Sequence, residues 1–250
     1  MSWANAGIQV ATGILATSRS ATLWAAVVTS LFALAAYRLR GVSRSGALAG
    51  FAMAFLLYAC AGPGAFDLLV ALFAVTFLAT RLGMQRKLAL GTAEKSAGRN
   101  ASQVLANVGV AALFAISYRY FGHFSFLAAC AAALAEAAAD TVSSECGQAL
   151  HSSTWLVTTG TRVPSGTNGG ISLPGTACGA LAALGMSLLA IWAGLVAGPL
   201  GWIVFAAALC GMFLDSLLGA LLERPGGLNN DAVNLLGTLS AALLAWWWVR

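Results

Sequence analysis

Apolar residues run along this chain in long unbroken blocks, and short polar or Gly/Pro-containing breaks separate the blocks. A bilayer core of about 30 Å requires about 20 helical residues, within a range of roughly 17–25. Eight segments meet that measure, over roughly 21–37, 46–60, 67–81, 101–121, 124–149, 176–198, 200–222 and 231–249. Residues 3–17 form a weaker block that suits a partial or interfacial helix. The second and third segments are short, which leaves a re-entrant hairpin open at that point. The pattern therefore predicts an all-α, polytopic transmembrane bundle of about seven to nine helices. It forms a single integral membrane domain over residues 1–250, with its polar motifs in a core at about 85–240.

The breaks set the orientation. Arg38, Arg40 and Arg44 follow the first segment, and Arg81, Arg86, Lys87, Lys95 and Arg99 follow the third. Cytoplasmic loops of membrane proteins carry excess Lys and Arg, so both loops are expected on the cytoplasmic side of a cell (inner) membrane. Counting spans onward places residues 150–175 and 223–230 on the same face. Trp246, Trp247 and Trp248 then form an aromatic belt at the outer interface.

Composition agrees. Of 250 residues, 60% are hydrophobic and 8% charged, about a third of the charged share of a soluble domain. The 28 glycines and abundant alanines suit helices that pack backbone to backbone in a bilayer. A net charge of +5 sits mostly in short loops, which argues against nucleic acid as a partner. Five scattered cysteines have no CxxC spacing and read as small buried hydrophobes. The first residues lack a basic stretch ahead of their apolar one, so no cleaved signal peptide is expected. His123 and His151 stand alone, and no Ser–His–Asp or Cys–His pattern is present.

What stands out is polar residues at helical spacing near span ends. Lys95, Arg99, Gln103 and Asn107 follow one another four apart, on one face leading into the fourth span. Glu136 and Asp140 are four apart at the cytoplasmic end of the fifth span, with Ser143 and Gly147 near that face. Asp215 lies four residues from both Gly211 and Gly219, which bares its helix face. Asn230, Asn234 and Thr238 open the last span, with Asn229 or Asn230 as its N-cap. Asp140 and Asp215 each lie about two turns, roughly 10 Å, inside their helices. A carboxylate at such a place costs at least ~2.5 kcal/mol by insertion scales and marks a function unless cations neutralise it as structural glue.

Residues 159–176 read TGTRVPSGTNGGISLPGT. Gly166, Gly169 and Gly170 let a backbone approach a ligand, Ser165, Thr167 and Asn168 add polar groups, and a helix N-terminus follows Pro174. The segment is not a Walker A loop, and alone it could be a mobile connection. Together with nearby carboxylates and cations it fits a metal-bound phosphate, since Mg2+ takes one or two carboxylates plus phosphate oxygens. A site of this kind at a lipid boundary points to phosphoryl or nucleotidyl transfer to a lipid with a phosphate head.

The strings GTAEKSAGRNASQVLANVG (91–109), AEAAADTVSSECGQ (135–148), SGTNGGISLPG (165–175), DSLLGA (215–220) and NNDAVN (229–234) carry a resemblance. They resemble the integral membrane family that includes the phytyl-phosphate kinase of tocopherol synthesis, from about residue 40 to the C-terminus. The second motif departs after Thr141 and at Cys146, both packing positions. The resemblance implies CTP-dependent, Mg2+-dependent phosphorylation of a prenyl (phytyl or geranylgeranyl) monophosphate, and distant kinship to dolichol kinase and CDP-diglyceride synthases. By matching position, Asp140 and Asp215 would hold Mg2+, with Glu136 as a further metal candidate. Lys95 and Arg99 would clamp the transferring group, and Gly166–Gly170 would cradle phosphates. Ser165, Gln103, Asn107, Ser216, Asn229, Asn230 and Asn234 complete the binding set. A transporter or flippase of a phosphorylated lipid, or a cytidylyltransferase forming a CDP-lipid, would use the same residue types.

Overall fold

The computed structural model describes residues 19–93, 98–150 and 152–250. The weak block at 3–17, Lys95 and His151 lie outside the described residues. The chain is a polytopic helical bundle. Its helices are α1 (Arg19–Arg38), α2 (Arg44–Ala61), α3 (Pro63–Arg81), α4 (Met84–Leu90), α5 (Ala101–Phe121), α6 (Phe124–Ala149), α7 (Leu173–Trp192), α8 (Gly198–Leu218) and α9 (Asn230–Val249). All of these but α4 are long and apolar enough to cross a membrane, and α8 runs on through a π turn at Gly219–Glu223.

The second and third segments are thus full-length helices. Pro63 sits in the first turn of α3, where its missing N–H costs nothing and its fixed φ favours a start. That moves the helix start ahead of the expected residue 67. Other starts follow side-chain caps: Ser43 for α2, Asn100 for α5, Ser172 for α7 and Asn229 for α9. Each oxygen accepts from an otherwise unpaired N–H of the first turn.

Helix α6 is the axis of the bundle, packed against α3, α5, α7, α8 and α9. Its run of alanines explains the position. Residues Ala128–Ala139 are almost wholly buried, and small side chains let neighbouring helices approach closely. Large apolar residues such as Leu31, Leu48, Trp192, Trp202 and Trp247 face outward instead, as a hydrocarbon solvent permits.

Between α6 and α7 the chain forms a three-stranded antiparallel sheet, β1 (Thr154–Leu156), β2 (Arg162–Val163) and β3 (Gly170–Ile171), in the order β2-β1-β3. The expected loop is therefore a small folded cap. The α1–α2 turn is tied to the strand of chain before α5 by Ser43 N–H to Arg99 O at 2.9 Å and Arg99 N–H to Gly41 O at 3.1 Å. Helix α4 is tied to the end of α6 by Arg86 Nε to Gln148 O at 2.8 Å. The loops bearing most of the basic residues thus gather with the sheet at one end of the bundle.

Candidate functional site

Two cavities open at this basic end. The first, about 110 Å3, is polar. Asp140, Ser143, Ser144, Gly147 and Gln148 of α6 line one wall, and Asp215, Ser216, Gly219 and Glu223 of α8 another. The cap contributes Ser165, Gly166, Thr167, Asn168, Gly169 and Gly170, and α9 contributes Asn230. Most of the residues singled out from the sequence therefore meet in one place, although they come from four separate stretches.

Glycine makes the meeting possible. The 164–170 turn is closed by Thr167 N–H and Oγ1 to Pro164 O at 3.2 and 2.7 Å, and by Gly170 N–H to Thr167 O at 2.8 Å. Gly169 has φ +76° and lies hard against Ala220 of the π turn. A side chain there would meet both an unfavourable backbone conformation and a steric block. Ser165 Oγ donates to Gly147 O at 3.2 Å, which pins the turn to α6. Where α7 crosses α6, a Cβ on Gly175 would stand 2.6 Å from Ser143 O and one on Gly179 2.8 Å from Ala139 O. The cap is held against the carboxylate-bearing face of α6 by these contacts.

The acidic groups sit in two layers. The carboxyl groups of Asp140 and Asp215 lie within hydrogen-bonding reach of each other. One turn deeper, Glu136 is 1% exposed and wedged between Gly211 of α8 and Gly237 of α9. Glu136 Oε1 and Asp215 Oδ2 both border Gly237, and neither has a hydrogen-bond partner among the described residues. Gln148 Oε1, facing the same cavity, is likewise unpartnered there. Orphaned buried oxygens of this kind are rare and call for a ligand or an ion. Arg99 is near enough to act electrostatically on Asp140.

These oxygens suit a hard cation. Among the described residues no three His, Cys, Asp or Glu side chains converge into a closed metal cage, and Glu136 lies one turn deeper on α6 than Asp140. An open pair is what Mg2+ requires when phosphate and water complete its shell.

Other expected residues are placed elsewhere. Gln103 and Asn107 line the second, apolar cavity together with Arg99. Gln103 also closes a capping box, accepting from Asn100 N–H at 2.9 Å while its own N–H donates to Asn100 Oδ1 at 3.0 Å. Asn107 Nδ2 donates back to Gln103 O at 2.8 Å. Asn229 is occupied as the α9 cap, and Asn234 does not line the polar cavity. Glu145 points away, paired with Lys87 at 2.7 Å.

Sequence reasoning missed Glu223, which the π turn swings onto the cavity wall. An inserted residue of this type is common at functional sites and leaves no periodicity to read. Lys87 is one more loop cation by sequence, yet it is 1% exposed and donates to Ala79 O, Thr80 O and Glu145.

No solved structure matches the chain. It is 32% identical over 87% of its length to an uncharacterized membrane protein of Methanocaldococcus jannaschii, covering 90% of that protein. It is 32% identical over 82% of its length to the chloroplastic protein VTE6 of Arabidopsis thaliana, of which it spans 64%. A membrane protein of Synechocystis is 33% identical over 76% of each chain. Residues 27–242 match the integral membrane protein family DUF92, and the chain belongs to that family.

Proposed function

We propose that the protein is a CTP-dependent kinase that converts a prenyl monophosphate to the diphosphate at the cytoplasmic face of the membrane. The observation that carries this reading is the Asp140–Asp215 pair, with unpartnered oxygens, beneath a glycine-rich turn at the basic end of a membrane bundle. The resemblance to the family of phytyl-phosphate kinase supplies the nucleotide and the prenyl acceptor.

Asp140 and Asp215 would hold Mg2+, which supplies positive charge to the nucleotide phosphates. Backbone N–H groups of Gly166, Asn168 and Gly169, which the turn itself does not use, orient the β- and γ-phosphates, and Ser165, Thr167 and Asn168 add polar contacts. Arg99 stands where a second phosphate needs neutralising, and Lys95 is assigned the same duty by its place in the motif. An oxygen of the lipid phosphate attacks the γ-phosphorus, the bond to the β–γ bridging oxygen breaks, and CDP departs with the electron pair. The attacking oxygen is already ionised, so no strong base is needed. Glu136, one turn behind the pair and beside Asp215 at Gly237, backs their positions.

The test uses purified full-length protein with labelled CTP, Mg2+ and geranylgeranyl or phytyl monophosphate. CDP with prenyl diphosphate supports the kinase. CDP-lipid with pyrophosphate would assign a cytidylyltransferase instead, and no product in either form would leave a transporter of phosphorylated lipids.

A further inference from the structure

The second cavity at the basic end, about 230 Å3, differs from the first in every wall. It runs between α1, α2, α3 and α5. Phe32, Phe73 and Phe77 face Ala47, Gly50 and Met53 across it, so aromatic rings oppose small or flexible side chains. Its lining reaches from Thr80 to Leu69 on α3, about 16 Å of helix into the membrane-spanning region.

Its mouth is cationic. Arg40, Arg81 and Arg99 line it, and no acidic side chain does among the described residues. The arrangement is fixed by the backbone. Arg40 has φ +59°, the one positive φ outside glycine among the described residues, and such conformations persist where surrounding contacts enforce them. Those contacts are the paired hydrogen bonds between Gly41, Ser43 and Arg99. Gly98 packs against the same turn, where an added Cβ would lie 2.7 Å from Arg40 O. Arg81 lies over the Phe77 ring at 3.4 Å and donates to Leu39 O at 3.2 Å. Guanidinium groups in this setting recognise phosphate by forked hydrogen bonds.

We infer that this cleft holds the isoprenoid chain of the lipid acceptor, with its phosphate at Arg40, Arg81 and Arg99. The assignment rests on the kinase reading for the identity of the lipid, and on the cleft alone for its position. Charge complementarity selects an anionic head, and a single slot between rings and small residues suits one chain. Arg99 belongs to the mouth of this cleft and also acts on Asp140 in the polar cavity. The acceptor phosphate is thereby delivered to the edge of the site that takes the nucleotide, while the tail never enters it.

The experiment uses full-length protein in detergent, without nucleotide, and a prenyl monophosphate carrying a diazirine at the far end of its chain. Labelling is expected on α1, α2 or α3 at cleft residues, competed by geranylgeranyl monophosphate about tenfold or more better than by geranylgeraniol. Gly50 is the residue to fill, because an added Cβ there meets nothing within 4 Å. Gly50→Trp should cut labelling by about tenfold or more without lowering the unfolding midpoint, and Arg40→Gln should weaken competition by the phosphate about tenfold. A separate, open groove on the outer side of α1 and α2 is lined by Leu34, Tyr37, Leu48 and Phe51; labelling confined to it, or undiminished by both substitutions, overturns the assignment even if CTP-dependent turnover is found. Equal competition by phosphatidate overturns the single-chain selectivity. Cleft labelling without turnover keeps the assignment and removes the kinase reading, so the two fail separately.

Discussion

Helix α6 ends in two acidic corners that the same helix presents to opposite neighbours. At one, Glu145 meets Lys87 at 2.7 Å, and the remaining Lys87 donors go to Ala79 O and Thr80 O. At the other, Asp140 and Asp215 crowd together, and Asp215 Oδ2 and Glu136 Oε1 accept from no donor among the described residues. The first corner is complete within the chain, which marks it as architecture. The second is incomplete, and a buried carboxyl oxygen without a donor costs stability unless something binds there. The contrast separates an acidic residue that holds the fold from one that waits for a ligand.

Breaking the complete corner should give the largest effect. Lys87→Met takes away the cation beside Glu145 and should cost about 3–5 kcal/mol, seen as a lower thermal-unfolding midpoint in detergent. The double variant Lys87→Met/Glu145→Leu should recover most of that loss, because a matched apolar pair replaces a matched ionic one. If the single variant unfolds no more easily than the parent, the corner is not architectural and the contrast fails.

The incomplete corner should respond in the opposite way. Asp215→Asn keeps the shape and removes a charge, so turnover with CTP and Mg2+ should fall about 10²–10³-fold, or about 2.7–4 kcal/mol. The unfolding midpoint should hold or rise, since an uncompensated carboxylate is gone. Asp140→Asn should lower turnover likewise but without the gain in midpoint, because Arg99 acts on Asp140. Full activity in either variant would sink the role given to the pair.

A third substitution probes how tightly the deeper layer is held. A methyl on Gly237 would stand 2.6 Å from Glu136 Oε1 and 3.1 Å from Asp215 Oδ2. Gly237→Ala should therefore cost about 1–3 kcal/mol of stability and displace both acids. Adding Glu136→Ala should make room and return the midpoint. If it does not, the strain lies elsewhere along α9.

Much of this is legible in residue order. The eight spans, their boundaries within six residues at worst (the sixth ends at Trp192 and not at 198), and the basic loops follow from apolar block length and the placement of Arg and Lys, which are local properties. Asp140 and Asp215 stand out because a carboxylate in an apolar block costs free energy that a partner or a ligand must offset. The Ser165–Gly170 turn stands out because its glycines and hydroxyls interrupt two such blocks. What escapes is local geometry that no apolar period encodes, and contacts between distant segments. Glu223 reaches the cavity through one extra residue in the last turn of α8. Gln103, singled out by its spacing from Arg99 and Asn107, lines the apolar cavity and also closes a capping box at the helix start, which its spacing from those two residues does not announce. The separation of Arg99 from the polar cavity's lining comes from pairing between the 41–43 and 98–99 segments, which no helical period encodes.

The smallest effect tests where architecture stops. Asn100 Oδ1 caps α5 by accepting from Gln103 N–H, directly after Arg99. Asn100→Ala should cost about 1 kcal/mol, and Asn100→Ser should restore most of it. Because Gly41 and Ser43 still hold the Arg99 backbone through two hydrogen bonds, turnover at saturating CTP should change less than stability does. A collapse of turnover at unchanged midpoint would mean that completed hydrogen-bond pairs at this end also serve the reaction. The division between satisfied and unsatisfied carboxyl groups would then no longer mark off the site, and Asn100 would have to be counted with Arg99.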